Sequence, residues 1–428
     1  MAKLDPSLVR LSHYGLTVTV GPPLKVHLRT DPSKPEDARL GVEALKEVLG
    51  PHLARLEVGE PANGGTSAAP TPAAPTALSE RDLLAHWMSV KGQLLATKSR
   101  MDYQAIHRRV LDYLRAQKVP VARLAKPHLA LYRSHCLAQG MTPKTWNKHL
   151  VAIGGLLKVA QELGAMPAGP LPTQGLLFGK QSVRKSSTSW GAFTDEQLAL
   201  VFDPDHFGAL AKPHEFWVPL LCLHEALRAN EACQTKLRDF DFEATPPRLW
   251  VRALDADQRV KTEESERVLP IHPALLELGL EQYVADVRAV AGEGLLFPYL
   301  RFDQANGYQD VPSEAFSRYL TRRLGEAREG LVLHSMRKTA NNLLKQRGVS
   351  EELRCQFLGH RHESLNSTVY ANPFGAQHLA EQIFPHLAFP IDYGRLRYEP
   401  GRFVGVLRRE LRRREKHSAR RPPAAGQA

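Results

Sequence analysis

Apolar side chains recur at helical spacing from Ser79 to about Leu163, and this pattern predicts four or five short helices. The first predicted helix after Ser79 carries Leu83, Leu84, Trp87 and Met88 at helical spacing, and the run from Thr145 to Leu163 is again apolar on one side. Ser79 stands three residues before Asp82, which is a helix-start pattern. Pro120 and Pro143 separate the predicted helices.

The segments on either side of this block have a different character. Residues 1–58 combine two β-like runs, Leu16–Val20 and Leu24–Leu28, with a helical stretch from Pro35 to Leu56, and we expect an accessory region of unknown role. Residues 59–78 are rich in Gly, Ala, Pro, Ser and Thr, a composition typical of a linker. A second linker is predicted over residues 166–190, and it ends in a basic stretch.

The largest block follows the second linker. It is predicted to be mainly helical, with a short strand pair near Arg248–Leu254 and Glu266–Ile271. The chain as a whole is therefore expected to be mainly α with a small β-sheet or hairpin (α+β). We predict a helical domain over residues 79–165, a mixed but mostly helical domain over 191–390, and a basic tail over 391–428 whose first part is a candidate DNA-binding helix.

The net charge of the chain indicates the kind of partner it binds. The 428 residues contain 57 Lys and Arg against 45 Asp and Glu, a net charge of +12, which favours an anionic partner such as nucleic acid. The four cysteines are far apart and include no CxxC pair, which fits a reducing compartment and gives no zinc framework. With neither an apolar leader nor an apolar run long enough to span a bilayer, a cytoplasmic protein that does not contact the membrane is expected.

Polar residues suited to phosphodiester chemistry occur in a fixed order along the last large block. They are Arg228 with Glu231 in LHEALRANEACQ, Lys261 in RVKTEESERVLPI, His334 and Arg337 in LHSMRKTANNLL, and His360 and Tyr370 in FLGHRHESLNSTVY. Glu231 can orient the guanidinium three positions before it, and Lys261 is expected at a hairpin turn. His334 and Arg337 share one helical face and can reach one phosphate.

These residue types together supply what metal-free transfer of a phosphodiester needs. A tyrosine oxygen is a nucleophile, arginine forks neutralise the charge of a pentavalent phosphorane, and an acid protonates the leaving 5′ oxygen. Each motif alone is common on ordinary protein surfaces, and only the ordered set indicates this chemistry.

The set resembles the tyrosine recombinase, or phage integrase, family over about Ser79 to Leu387. The resemblance implies that the helical domain is a core-binding domain which, together with the catalytic domain, clamps DNA. It implies catalytic roles for Arg228, Lys261, His334, Arg337, His360 and Tyr370, with Tyr370 as nucleophile, Lys261 as the acid for the leaving oxygen and Glu231 as a supporting residue. No cofactor or metal is implied. The implied partners are double-stranded DNA with inverted half-sites, three further copies in a tetramer on DNA, and accessory DNA-bending proteins.

The sequence departs from the family pattern at two places. Ala226 stands where the family usually has glycine, and its small side chain is expected to be tolerated. Tyr370 lies one residue further from His360 than is commonest. His362 competes with His360, and Tyr319 and Tyr393 compete with Tyr370, but none of these three fits the motif spacing as well.

Several functions remain open at this point. The first is integration or excision of a mobile element through a 3′-phosphotyrosine. The others are a non-catalytic DNA-binding protein derived from an integrase, and a relaxing enzyme like a type IB topoisomerase. A metal-dependent nuclease has little support, because no clustered acidic motif is present.

Overall fold

The computed structural model describes residues 9–12, 15–20, 24–28, 78–186, 190–362 and 372–419, the first three ranges and residues 417–419 as backbone only. The chain divides into two units, Met1–Ala74 and Pro75–Ala428. The helical stretch predicted for Pro35–Leu56 lies outside the described residues.

The first unit contains a three-stranded antiparallel meander. Its strands are β1 (Val9–Ser12), β2 (Gly15–Val20) and β3 (Leu24–Leu28). Leu16 of β2 pairs with Leu11 of β1 and with Leu28 of β3. The two β-like runs predicted from the sequence are thus strands β2 and β3.

The second unit begins with a helical block that has its own core. Its helices are α1 (Glu80–Val90), α2 (Thr97–Ala116), α3 (Lys126–Ala138) and α4 (Pro143–Glu162). Ser79 caps α1 by accepting the Asp82 N–H at 3.1 Å, as its spacing predicts. Trp87 and Trp146 are buried among the apolar faces of these helices.

The segment predicted as the second linker packs onto this helical core. The Trp146 indole N–H donates to the Leu176 carbonyl at 2.9 Å. The Asn147 amide donates to the Phe178 carbonyl at 2.9 Å and accepts the Phe178 N–H at 2.8 Å. The segment then forms the short helix α5 (Lys180–Ser186).

The larger block is built on a second core and carries the remaining elements. Helices α6 (Asp195–Val201), α7 (Pro204–Phe207), α8 (Pro213–His224) and α9 (Ala229–Gln234) lead into a small antiparallel sheet. The sheet has the order β4 (Phe240–Asp241), β5 (Arg248–Val251), β6 (Arg267–Pro270). The next helices are α10 (Pro273–Glu277), α11 (Leu280–Ala291), α12 (Asp310–Leu324), α13 (Leu333–Gln346) and α14 (Glu351–Leu358). The chain continues through α15 (Ala376–Ile383), α16 (Tyr393–Leu396) and α17 (Val404–Ala419).

The segment predicted as a basic tail is integrated into this larger core. Phe403 and Leu407 are almost completely buried, and Tyr398 binds α11 through a hydrogen bond of 2.5 Å from its hydroxyl to Asp286. The Arg402 guanidinium lies over the rings of Phe216 and Phe403. Helix α17 therefore packs against the domain on one side and presents arginines on the other.

The fold class is as expected, mainly α-helical with small antiparallel sheets. Within the described residues, no helix is both long enough and apolar enough to span a bilayer.

Candidate active site

The start of α9 sets the position of Arg228. The Arg228 N–H donates to Glu231 Oε2 at 3.0 Å, and its guanidinium pairs with the other oxygen of the same carboxylate. Arg228 therefore caps the helix rather than lying on its exposed face. The backbone reaches this cap through Ala226, which has a φ of 48° in the left-handed region and is fully buried. Alanine is thus accommodated where the family usually has glycine.

Glu231 lies among three guanidinium groups. Besides Arg228, Arg267 Nη2 donates to Glu231 Oε2 at 3.1 Å, and Arg337 Nη1 is 3.9 Å from that oxygen. The Glu231, Arg267 and Arg337 side chains are only 3%, 4% and 2% exposed. Burial opposes ionisation of Glu231, but Arg267, Arg228 and Arg337 outweigh it and hold the pKa of the carboxyl below its ordinary value. Three arginines against one carboxylate leave an excess of positive charge.

Arg337 projects from α13 toward the end of α14. Its guanidinium donates to the carbonyls of Ala226 and Leu358 and, at 2.8 Å, to Nε2 of His360. Burial, and then the neighbouring guanidinium groups, lower the pKa of Arg337 to about 9, so it stays cationic at neutral pH. Helix α13 also carries His334, at the spacing the sequence predicts.

Arg228 and Arg337 converge on adjacent peptide groups. Arg228 Nη2 donates to the Gly359 carbonyl at 2.9 Å, while Arg337 Nη2 donates to the Leu358 carbonyl next to it. Gly359 ends α14 with a φ of 67°, and a β-carbon there would lie 2.7 Å from Arg267 Nη1. Glycine therefore permits both the left-handed turn and the close approach of the arginines.

The two predicted histidines stand at the edge of this cluster, where each residue is partly exposed and partly desolvated by its neighbours. Loss of solvent, and then the charges of Arg337 and Arg228, lower the pKa of His360 to about 4. The same causes, together with Lys261, lower the pKa of His334. Both imidazoles are thus favoured in the neutral form.

Lys261 lies in the long connection between β5 and β6, just before a 3₁₀ turn over Glu263–Ser265. Its side chain is exposed and has no hydrogen-bond or ion-pair partner among the described residues. Four residues later, the Ser265 hydroxyl accepts from Arg228 Nη1 at 3.1 Å. Lys261 therefore lies in a long connection of the β5–β6 pair rather than at the predicted hairpin turn, and the Ser265 end of this connection packs against the arginine cluster.

Tyr370 lies outside the described residues. The residues that flank its segment, His362 and Asn372, line one cavity of about 860 Å³ together with His360 and Arg267. In the part of the chain that the structure describes, no group of three His, Cys, Asp or Glu residues could hold a metal ion.

Comparison with known proteins relates this architecture to solved integrases. No protein-family model and no curated protein matches the chain. A fragment of the transposon Tn1549 integrase in complex with transposon right end DNA superposes with a TM-score of 0.53 at 17% identity, over 71% of this chain and 98% of that one. A second structure of that integrase fragment, with a circular intermediate DNA, gives 0.52 at 18% identity over the same shares.

The chain has the tyrosine recombinase fold.

The competing tyrosines are engaged in the core of this tyrosine recombinase fold. The Tyr319 hydroxyl donates to the Val201 carbonyl at 2.6 Å, and the Tyr393 hydroxyl lies 2.9 Å from Nε2 of His224. Burial raises the pKa of both phenols. Neither hydroxyl is therefore placed as an accessible nucleophile.

Arg267 is the member of the cluster for which no role was predicted from the sequence. Its Nε donates to the Phe357 carbonyl at 2.9 Å and its Nη1 to the Ser265 carbonyl at 2.7 Å. It therefore ties β6, α14 and Glu231 together. The arginine stands inside the RVKTEESERVLPI segment, but alternation along a short edge strand does not distinguish a buried arginine from an exposed one.

Proposed function

We propose that this protein is a site-specific DNA recombinase that cleaves and rejoins strands through a 3′-phosphotyrosine at Tyr370. The proposal rests on one observation: Arg228 and Arg337 converge on adjacent carbonyls, and Arg337 also donates a hydrogen bond to His360. Two guanidinium groups held side by side match the non-bridging oxygens of one phosphodiester.

The net positive charge of the cluster supports a role in binding the transition state and not only in stabilising the fold. Arg228, Arg267 and Arg337 carry three positive charges, and Glu231 neutralises one. A phosphorane gains negative charge as it forms, so the fixed excess of positive charge stabilises it more than the starting diester. Arg228, whose side chain is 22% exposed, is the guanidinium best placed to bind a diester from solvent.

Strand cleavage then requires two proton movements. The Tyr370 oxygen attacks phosphorus, the bond between phosphorus and the 5′ oxygen breaks, and the tyrosine proton passes to a base. His334 suits that role because its lowered pKa keeps it neutral. The leaving 5′ oxygen takes a proton from the Lys261 ammonium, and rejoining reverses these steps with the 5′-hydroxyl of another strand.

His360 is assigned a hydrogen bond to the phosphate. Arg337 can only donate, so His360 Nε2 must accept, and the ring proton of the neutral imidazole lies on Nδ1. That N–H is the donor we assign to a non-bridging oxygen.

The substrate is proposed to be double-stranded DNA with inverted half-sites, bound by the helical block and the larger block as a clamp. Four copies would act on two duplexes. The structural neighbours are integrases of a transposon, which favours integration or excision of a mobile element as the biological role. We propose that the protein acts on DNA in the cytoplasm.

The test is recombination between two plasmid-borne copies of the DNA flanking the gene, in chelator. We expect exchange between the two copies. Relaxation of a plasmid without such sites would support a topoisomerase, and footprinting without exchange or relaxation would support a non-catalytic binding protein. Activity that chelator abolishes would support a metal-dependent nuclease.

A further inference from the structure

We propose that Arg259 is a positioning residue for Lys261, because it fastens the lysine loop to α9 and to the turn Asp303–Gly307. This inference rests on the proposed function and extends it to a residue that does not itself contact the phosphate.

Arg259 contacts two neighbouring segments at once, α9 and the turn that follows Phe302. Its backbone N–H donates to Gln234 Oε1 on α9 at 3.0 Å. Its guanidinium donates to the Gln304 carbonyl at 2.7 Å and to the Asp303 carbonyl at 3.0 Å. The guanidinium also lies over the Phe302 ring, 5.5 Å from the centroid. A planar fork across two carbonyls fixes both position and orientation.

The surfaces that receive Arg259 are themselves held firmly. Asp303 Oδ1 accepts the N–H groups of Ala305 and Asn306, each at 2.8 Å, so the turn is closed by its own side chain. Asn230 accepts the Tyr308 N–H at 2.8 Å and donates to Gln234 Oε1 at 2.8 Å. Helix α9, the turn and the loop therefore form one hydrogen-bonded unit.

Lys261 depends on this unit because it stands two residues after Arg259 and is not held by its own side chain in the described structure. Two residues span about 7 Å at full extension, so fixing Arg259 confines the lysine closely. On the other side of the loop, Ser265 is held by Arg228 and Arg267. Arg228 stands at the N-terminus of α9 and Gln234 at its C-terminus. This one short helix therefore positions both the proposed phosphate-binding arginine and the loop that carries Lys261.

The predicted consequence is a selective loss of leaving-group protonation. A displacement of about 1 Å can lower the rate of a positioned group on the order of 10²-fold. We expect Arg259→Ala to slow single-turnover cleavage by about 10- to 100-fold. Arg259→Lys keeps the charge but cannot bridge both carbonyls, and it should fall between wild type and Arg259→Ala.

The experiment compares two suicide duplexes, one ordinary and one with sulfur in place of the bridging 5′ oxygen at the cleavage site. A thiolate leaves without a proton, so the acid becomes dispensable. Arg259→Ala and Lys261→Ala should be slow on the oxygen duplex and close to wild type on the sulfur duplex. The matched control is Arg288→Ala on α11, which removes an exposed ion pair with Glu293. This variant should cleave both duplexes normally.

Equal slowing of Arg259→Ala on both duplexes, or no slowing on the oxygen duplex, would overturn the positioning role. If Arg259→Ala does not fold, Asp303→Ala loosens the receiving turn and should give the same rescue by sulfur. If wild type forms no adduct with either duplex while binding both, the proposed function itself fails and this inference with it. If Lys261→Ala is not rescued by sulfur while wild type is active, the recombinase proposal stands and the role of the loop is wrong.

Discussion

Arg337 Nη2 donates to Nε2 of His360 at 2.8 Å, and this single contact determines which ring nitrogen of the histidine carries the proton. A guanidinium has no acceptor, so Nε2 presents its lone pair and Nδ1 keeps the hydrogen. With Nε2 accepting from Arg337, His360 can donate a hydrogen bond only through Nδ1.

The first prediction concerns that tautomer in the DNA-free protein. Nitrogen-15 NMR of labelled histidine should find His360 neutral at pH 7 with the proton on Nδ1. Because burial and Arg337 lower the pKa to about 4, protonation should begin only well below pH 6. The signal is assigned by its loss in His360→Asn. A charged ring at pH 7, or a proton on Nε2, would contradict the arrangement.

The second prediction concerns Glu231. Glu231→Ala leaves Arg267 and Arg337 buried without their carboxylate, and we expect a loss of about 3–5 kcal/mol in the free energy of unfolding. Urea denaturation measures this loss. Glu314→Ala, which breaks an exposed pair with Arg318 on α12, is the control and should change stability by less than about 1 kcal/mol. A similar small effect at Glu231 would show that the cluster does not depend on it.

The third prediction concerns the turn at Gly359. Gly359→Ala adds left-handed strain of about 1–2 kcal/mol and pushes a methyl group against Arg267 and the Ser265 backbone, a crowding that costs about 1–3 kcal/mol more. Gly348 has a similar φ of 78° but nothing within 4 Å of its β-carbon position, so Gly348→Ala reports strain alone. Thermal or chemical denaturation should therefore find Gly359→Ala clearly the worse of the two. Equal losses would mean that the close approach has no energetic consequence.

The fourth prediction uses the buried carboxyl beside the site. Glu225 is fully buried, and its carboxyl accepts the backbone N–H of His272 at 2.6 Å. Desolvation raises the pKa of Glu225 to about 8. A raised folded-state pKa means that the unfolded chain ionises first, so stability falls as pH rises from about 4.5 to 8. Glu225→Gln keeps the acceptor oxygen and removes the titration. It should stabilise the protein more at pH 8 than at pH 5, by about 3 kcal/mol.

The control for that prediction is Glu281→Gln at an exposed position of α11, which should give the same small change at both pH values. A gain from Glu225→Gln that is independent of pH would show that the carboxyl is already ionised in the folded protein.

Local pattern was sufficient where the signal is local. The Ser79 cap and the spacing of His334 and Arg337 follow from neighbours within a few positions. Arg228, Glu231, Arg337 and His360 also lie close together in the structure, while their catalytic roles stay a prediction.

Other features depend on contacts that no local window contains. Trp146 and Leu176 are joined across 30 positions, so a Pro- and Gly-rich composition suggested a free linker where the chain is in fact packed. Tyr398, Arg402 and Phe403 are hidden within a basic stretch that suggested a tail, yet they pack on α8 and α11. The anchoring role of Arg267 depends on three partners outside its own strand: Glu231 of α9, Phe357 of α14 and Ser265 in the 3₁₀ turn.

The role of Tyr370 as nucleophile is tested most directly by covalent trapping on suicide duplexes from the DNA flanking the gene, in chelator. Wild type, Tyr370→Phe, Tyr319→Phe and Tyr393→Phe are compared on a denaturing gel after equal DNA binding is verified. We expect a protease-sensitive protein–DNA band that is lost only in Tyr370→Phe. A band that persists in Tyr370→Phe, or that disappears in Tyr393→Phe or Tyr319→Phe instead, would contradict it.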